Sequence, residues 1–141
     1  MPASWCERQG VIARSDLRNI ARARLRDAEV LLGARRCDAA VYLCGYAVEI
    51  ALKARICRAL GWSEFPETSR DFEGYQSLRT HRLDVLLHFS GAETRIKARL
   101  MTEWSIAGIW EPEARYRRVG TASVADAADM IRAARNVIAA L

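Results

Sequence analysis

The sequence predicts an all-α protein, an antiparallel up-and-down bundle of about five helices in one domain. Three observations predict it. Alanine, which costs least to place in a helix, fills 24 of 141 positions, against 3 prolines and 8 glycines. Apolar residues recur three and four apart along most of the chain. No segment alternates convincingly enough to read as a strand. A chain of this length normally folds as one domain and buries roughly two thirds of its unfolded surface. With 51% hydrophobic and 28% charged residues it is neither collagen-like nor disordered.

The first helix reads from Leu17 to Leu32, with Ser15 or Asp16 as its cap and Gly33 closing it in the left-handed conformation. Leu17, Ile20, Ala21, Leu25, Ala28, Leu31 and Leu32 share one face. Arg14, Arg18, Arg22 and Arg26 form an i, i+4 ladder on the other, where like charges repel by about 0.2–0.5 kcal/mol per pair. Asp27 and Glu29 are the expected partial counter-charges. A solvated face explains the ladder most simply, and a bound phosphate is the functional alternative.

The second helix runs from Asp38, as cap, to Leu60, ended by Gly61. Between Ala39 and Leu52 its only charge is Glu49. A helix apolar on nearly all sides is either central in its own bundle or shared with a partner chain. Gly45, costing about 1 kcal/mol against alanine, predicts the close approach of another helix. Tyr42 and Tyr46 lie beside Glu49 and Lys53. A carboxylate there needs a partner, which Lys53, Tyr42 or a second subunit can supply.

Periodicity fades from Trp62 to Leu78, a long loop with Trp62, Phe65, Phe72 and Tyr75 as aromatic anchors. A short helix follows from Thr80, as cap, through Leu83, Leu86 and Leu87 to Gly91. A fourth spans Ala92 to Ile106, with Ile96, Leu100 and Trp104 on one face. Glu111 to Arg118 is a charged loop. The last helix begins at a capping box of Ser123 and Asp126 and runs to Leu141. Residues 1–14 read as an N-terminal extension and residues 15–141 as the helical domain.

The formal charge is +5, and 20 of the 22 cations are arginine. A GC-rich genome explains such a bias, and so does anion binding, because guanidinium forks match phosphate oxygens two at a time. The longest apolar run, Ala39 to Val48, is too short for a membrane helix, and Met1 to Trp5 lacks a secretory signal, so the expected location is cytoplasmic. Cys6, Cys37, Cys44 and Cys57 form no C-x-x-C pair and no metal-finger spacing with a histidine, which predicts reduced thiols, no metal site and no cofactor.

No phosphate-cradling glycine loop, Ser/His/Asp set or H-E-x-x-H pattern occurs. His81 falls in the first turn of the short helix as a surface or capping residue. Arg82 and His88 have the residue types of a metal-independent ribonuclease, the arginine holding the scissile phosphate and the imidazole moving the 2′-hydroxyl proton. Six residues along one helix turn through about 600°, leaving these side chains about 120° apart, so convergence requires bending or a second subunit. Arg115, Arg117 and Arg118 surround Tyr116, with Trp104 and Trp110 just before. That set suits either phosphate contact with base stacking or a loop in which Tyr116 plugs the bundle's end.

Ala23 to Leu32, followed by Asp38 to Ala54 (D-A-A-V-Y-L-C-G-Y-A-V-E-I-A-L-K-A), resembles the HEPN domain (higher eukaryotes and prokaryotes nucleotide-binding). Thr80-His81-Arg82-Leu83, Ala114-Arg115-Tyr116 and the closing helix also fit, so the resemblance spans about Leu17 to Ile138. It implies a helical bundle, usually dimeric through its long helices. Some members are ribonuclease toxins with an arginine, a polar residue and a histidine late in the domain, often encoded beside a minimal nucleotidyltransferase. Others bind nucleotides, RNA or proteins without catalysis. Here no histidine follows Arg115–Arg118, and Leu83 stands where the nuclease motif has a polar residue. The resemblance therefore implies a non-catalytic, homodimeric module that binds a nucleotide or RNA phosphate through Arg115, Tyr116, Arg118, Glu49 and Lys53. It would act with a partner protein in a toxin–antitoxin or defence-type system. The alternatives are a metal-independent endoribonuclease toxin using Arg82 and His88 across a dimer, and a purely structural dimerisation adaptor.

Overall fold

A computed structural model describes residues 11–66, 78 and 80–141. Cys6, Phe72 and Tyr75 lie outside them. The described chain runs β1 (Val11–Ala13), α1 (Arg14–Gly33), α2 (Cys37–Leu60), β2 (Glu64–Pro66), α3 (Leu83–Phe89), α4 (Glu93–Arg99), α5 (Met101–Ala107), a 3-10 turn (Pro112–Tyr116) and α6 (Val124–Ala140). The all-α class holds, with six α-helices among the described residues rather than about five. The extra helix comes from Leu100, whose backbone (φ −131°, ψ 39°) leaves the helical region and divides α4 from α5. The hydrogen-bond ladder continues across the bend, so no breaker residue marks it: Leu100 N–H donates to Ile96, and Leu100 C=O accepts from Trp104.

Two short strands also form. β1 and β2 pair antiparallel, with Ile12 opposite Phe65. Three residues each are too few for alternation to be legible. Residues 11–13 fall within the expected N-terminal extension, yet β1 ties the start of α1 to the end of α2.

α1 and α2 form the main helical pair, and α6 packs across both. α2 is the central element. Ala40, Cys44, Ala47, Val48, Leu52, Ile56 and Cys57 are fully enclosed by α1, α3, α6 and the loops. Burying side chains such as Leu52, Ile56, Leu86 and Leu87 contributes roughly 1.5–3 kcal/mol each. Its all-round apolarity is thus accounted for within one chain, although Tyr42, Tyr46 and Ile50 stay half-buried.

Several caps differ from expectation. α1 begins after Ala13, so Ser15 and Asp16 lie inside its first turn and no side chain caps it. The left-handed residue after α1 is Arg35 (φ 59°), not Gly33, which remains helical. Asp38 lies inside α2, whose first flanking residue is Arg36. α3 starts after Arg82, so Thr80 and His81 belong to the strand-like lead-in, where Thr80 Oγ1 accepts from Arg82 N–H (3.0 Å). Gly61 (φ 70°) closes α2 as expected, Gly91 (φ 75°) turns the chain after α3, and the Ser123/Asp126 capping box forms in full.

Gly45 is close-packed, but by an indole rather than a helix. A Cβ there would meet Trp110 ring atoms at 2.0–2.1 Å. Trp110 in turn stacks edge-on with Tyr46 (centroids 4.8 Å) and lies 6.2 Å from Tyr42. This wedge seats the segment that follows α5 against α2.

Cys37, Cys44 and Cys57 are buried free thiols. Burial pushes the Cys44 thiol up to about 12 and the Cys57 thiol up to about 11. Among the described residues, no helix is long and apolar enough to cross a membrane.

Candidate functional site

The middle of α2 builds the first cluster. Glu49, only 2% exposed, accepts a hydrogen bond from Lys53 Nζ (2.9 Å) one turn on, the favourable order for a helical ion pair. The extended lead-in to α3 brings His81 Nδ1 to 2.6 Å from the same carboxylate oxygen. A proton on Nδ1 makes that contact a donated hydrogen bond and leaves Nε2 as the outward nitrogen. Oε2 of Glu49 is buried and finds no donor among the described residues. His81 and Arg82 line an open cleft of about 630 Å³ together with Trp110, Glu111 and Glu113.

The 3-10 turn builds the second cluster. Pro112 opens it, its ring pre-setting the backbone for the turn, and its carbonyl accepts from Arg115 Nη1 (3.3 Å). The Arg115 guanidinium lies 4.7 Å over the Tyr116 ring. That ring is 77% exposed, so Tyr116 does not plug the bundle. Arg115, Arg117, Tyr42, Val119 and Thr121 line a hollow of about 280 Å³ at the start of α2. Asp38 holds its wall: Oδ2 accepts Gly120 N–H (2.6 Å) and Oδ1 accepts Ala122 N–H (2.8 Å). These two backbone bonds hold the Asp38 carboxyl below the usual range, and both oxygens face donors rather than the hollow.

The Tyr42–Tyr46–Trp110 wedge sits between the clusters. The Tyr42 and Tyr46 hydroxyls share a hydrogen bond (3.4 Å), which together with burial pushes Tyr46 up to about 12. Tyr46 feels both the Glu49 and the Arg115 charge.

The expected binding residues therefore divide. Arg115 and Tyr116 meet, and Glu49 and Lys53 meet, but the two pairs serve different cavities: Arg115 lines the hollow, whereas Glu49 holds His81, which lines the cleft. Arg118 lines neither; Arg117 takes the place beside Arg115. Trp104 and Trp110 are buried, and Trp110 is packed edge-on against Tyr46 at the margin of the cleft. Arg82 and His88 do not converge within the chain. Arg82 Nη2 pairs with Asp84 (2.9 Å) and His88 Nδ1 with Glu93 (2.8 Å), both at the surface.

Sequence reasoning gave His81 and Asp38 only capping roles and left Arg117, though part of the same basic cluster, out of the expected binding set. The unpaired requirement of Glu49 was the signal for His81, but the partner lies 32 residues away in sequence. Among the described residues, no group of three His, Cys, Asp or Glu side chains is placed to hold a metal ion.

No curated protein and no solved structure matches the chain. A family model described as HEPN domain matches residues 15–141, nearly the whole length and every helix that builds the two clusters, and the chain belongs to the HEPN domain family.

Proposed function

We propose that this protein is a non-catalytic HEPN module that binds the phosphate of a nucleotide in the hollow beside Arg115. Family membership supports a nucleotide- or RNA-related role. The observation that carries the finer reading is the Arg115 guanidinium stacked over the exposed Tyr116 at the rim of a hollow of about 280 Å³. Small-molecule pockets begin at roughly 300 Å³, so a hollow of about 280 Å³ takes the phosphate and part of the sugar and leaves the base outside, at Tyr116. Arg115 and Arg117 supply forked donors for phosphate, and Tyr116 offers a ring face to a base.

The proposal extends to assembly. Ile109, Tyr116, Val119 and Val124 stand exposed around this end of the bundle, which supports a second chain there, either another copy or a partner such as a minimal nucleotidyltransferase. Light scattering of the purified protein reads that part directly.

The test of binding is calorimetric titration with a 5′-mononucleotide. Charge-assisted hydrogen bonds contribute about 1.5–3 kcal/mol, so Arg115→Ala weakens binding by roughly tenfold to a hundredfold. Tyr116→Ala weakens it less, and Arg118→Ala leaves it unchanged. Equal affinity in wild type and Arg115→Ala overturns the site.

A second reading has one specific observation in its favour. The carboxylate of Glu49 orients His81 in a cleft that also holds Arg82, an arrangement suited to general base work on a ribose hydroxyl. In that reading purified protein cleaves RNA without metal, and His81→Ala abolishes cleavage. The Arg82/His88 alternative instead predicts loss with His88→Ala while His81→Ala remains active.

A further inference from the structure

We propose that the arginine-lined groove between α1, α2 and α6 is a track for the sugar–phosphate backbone of single-stranded RNA. It is separate from the hollow at Arg115 and stands without it. Arg14, Arg18 and Arg22 line one wall on successive turns of α1, Arg55 and Arg58 line the facing wall on α2, and Arg135 closes the α6 end. The groove encloses about 610 Å³, more than twice the Arg115 hollow, and none of its lining residues is acidic. Ala21, Leu25, Ala51, Ala54 and Ile138 supply an apolar floor.

The counter-charges expected for this ladder go elsewhere. Asp27 pairs with Arg24 (3.4 Å) outside the groove, and Glu29 pairs with Arg135 at its α6 end, the one compensated arginine among the described residues that line it. Among the described residues no carboxylate pairs with Arg14, Arg18, Arg22, Arg55 or Arg58. Arg55 is the most exacting case. Its Nε is buried without an acceptor, and burial, then Arg58 and Arg95, disfavour its charged form. Like charges gathered around a shared trough raise the energy of the folded chain unless an anion enters it.

The geometry selects a chain of phosphates over an isolated one. Residues four apart on a helix rise about 6 Å, so α1 presents one guanidinium per step along a line, comparable to successive backbone phosphates. Planar forks on both walls grip phosphate oxygens pairwise, while Leu25 and Ile138 lie beneath the sugars and bases.

The probe is a fluorescein-labelled oligouridylate of about eight nucleotides, within the span single-strand sites cover, followed by anisotropy over a salt series. Removing one arginine–phosphate pairing lowers the salt slope by about 0.7. Arg18→Ala/Arg22→Ala and Arg55→Ala/Arg58→Ala each reduce it by roughly 1.4 and weaken low-salt binding tenfold or more. Arg18 and Arg22 are exposed, so that pair remains a sound test should the Arg55 pair fail to fold. Arg24→Ala/Arg132→Ala removes the same net charge outside the groove and leaves the slope intact. Arg115→Ala also leaves this slope intact while weakening mononucleotide binding roughly tenfold to a hundredfold, so the two sites fail separately. No oligouridylate binding, a slope unmoved by the groove pairs, or an equal fall in the control pair overturns the proposal; an acidic protein captured in place of RNA does the same.

Discussion

Gly45→Ala tests how the bundle and the candidate site are joined. Ordinary carbon contacts lie near 3.5–4.0 Å, and the new Cβ would stand 2.0 Å from the Trp110 ring, so the indole must retreat by about 1.5 Å. Trp110 is 6% exposed and packed against Tyr46, so a retreat of that size breaks the ring packing and pushes the indole toward the cleft it lines. Overpacking of this kind costs about 1–3 kcal/mol, and full ejection of a tryptophan costs about 3–5 kcal/mol. Against either stands a gain of about 1 kcal/mol from replacing a mid-helix glycine. The expected net loss is therefore about 2 kcal/mol in urea unfolding followed by far-ultraviolet circular dichroism. In a Trp110→Ala background the clash is gone and the same substitution becomes stabilising by about 1 kcal/mol, a coupling of about 3 kcal/mol. Because Tyr42 borders both the wedge and the hollow, the single variant should also weaken mononucleotide binding. Equal effects of Gly45→Ala in the two backgrounds would refute the reasoning.

Two further outcomes follow from named groups. Asp38 has its pKa depressed by Gly120 and Ala122 N–H, so its contribution is present above the unfolded carboxylate value and is lost as pH falls through the lower folded value. Asp38→Asn should flatten the acid limb of the stability profile relative to wild type and loosen residues 120–122 in hydrogen exchange; an unchanged acid limb counts against the clamp. Cys44 and Cys57, with thiols pushed up to about 12 and about 11 inside the core, should react with thiol reagents only at the rate of unfolding, and labelling of native protein at the rate of a free thiol would contradict their placement.

The helices were legible because their signals are local. The spacing from Leu17 to Leu32, the Gly61 stop and the Ser123/Asp126 box all act within a few residues. Asp38 shows where locality fails. Asp near a helix start reads as a cap, yet its oxygens reach backbone donors 82 and 84 residues away. His81 fails in the same way: the short-helix pattern absorbed it, whereas an extended lead-in carries it to Glu49. The bend at Leu100 left no residue-level trace, since the hydrogen bonds run through it. Gly45 announced a close neighbour, and nothing in a sequence states whether that neighbour is a helix or a single ring.

The arginine bias is the instructive case, because composition and placement answer different questions. Base composition can supply 20 arginines, but it does not decide which of them find carboxylates. On this chain Asp27 and Glu29 neutralise Arg24 and Arg135 at the edge, while among the described residues the facing walls of α1 and α2 stay uncompensated. Random scatter over a surface carrying 17 acidic residues would interleave the signs, since adjacent like charges cost energy and opposite ones offset it. An inward-facing concentration along one trough, with a half-buried Arg55 at its base, has a standing electrostatic cost in the free protein. A ligand that enters the trough removes that cost, so the same arrangement that weakens the empty fold strengthens the bound one.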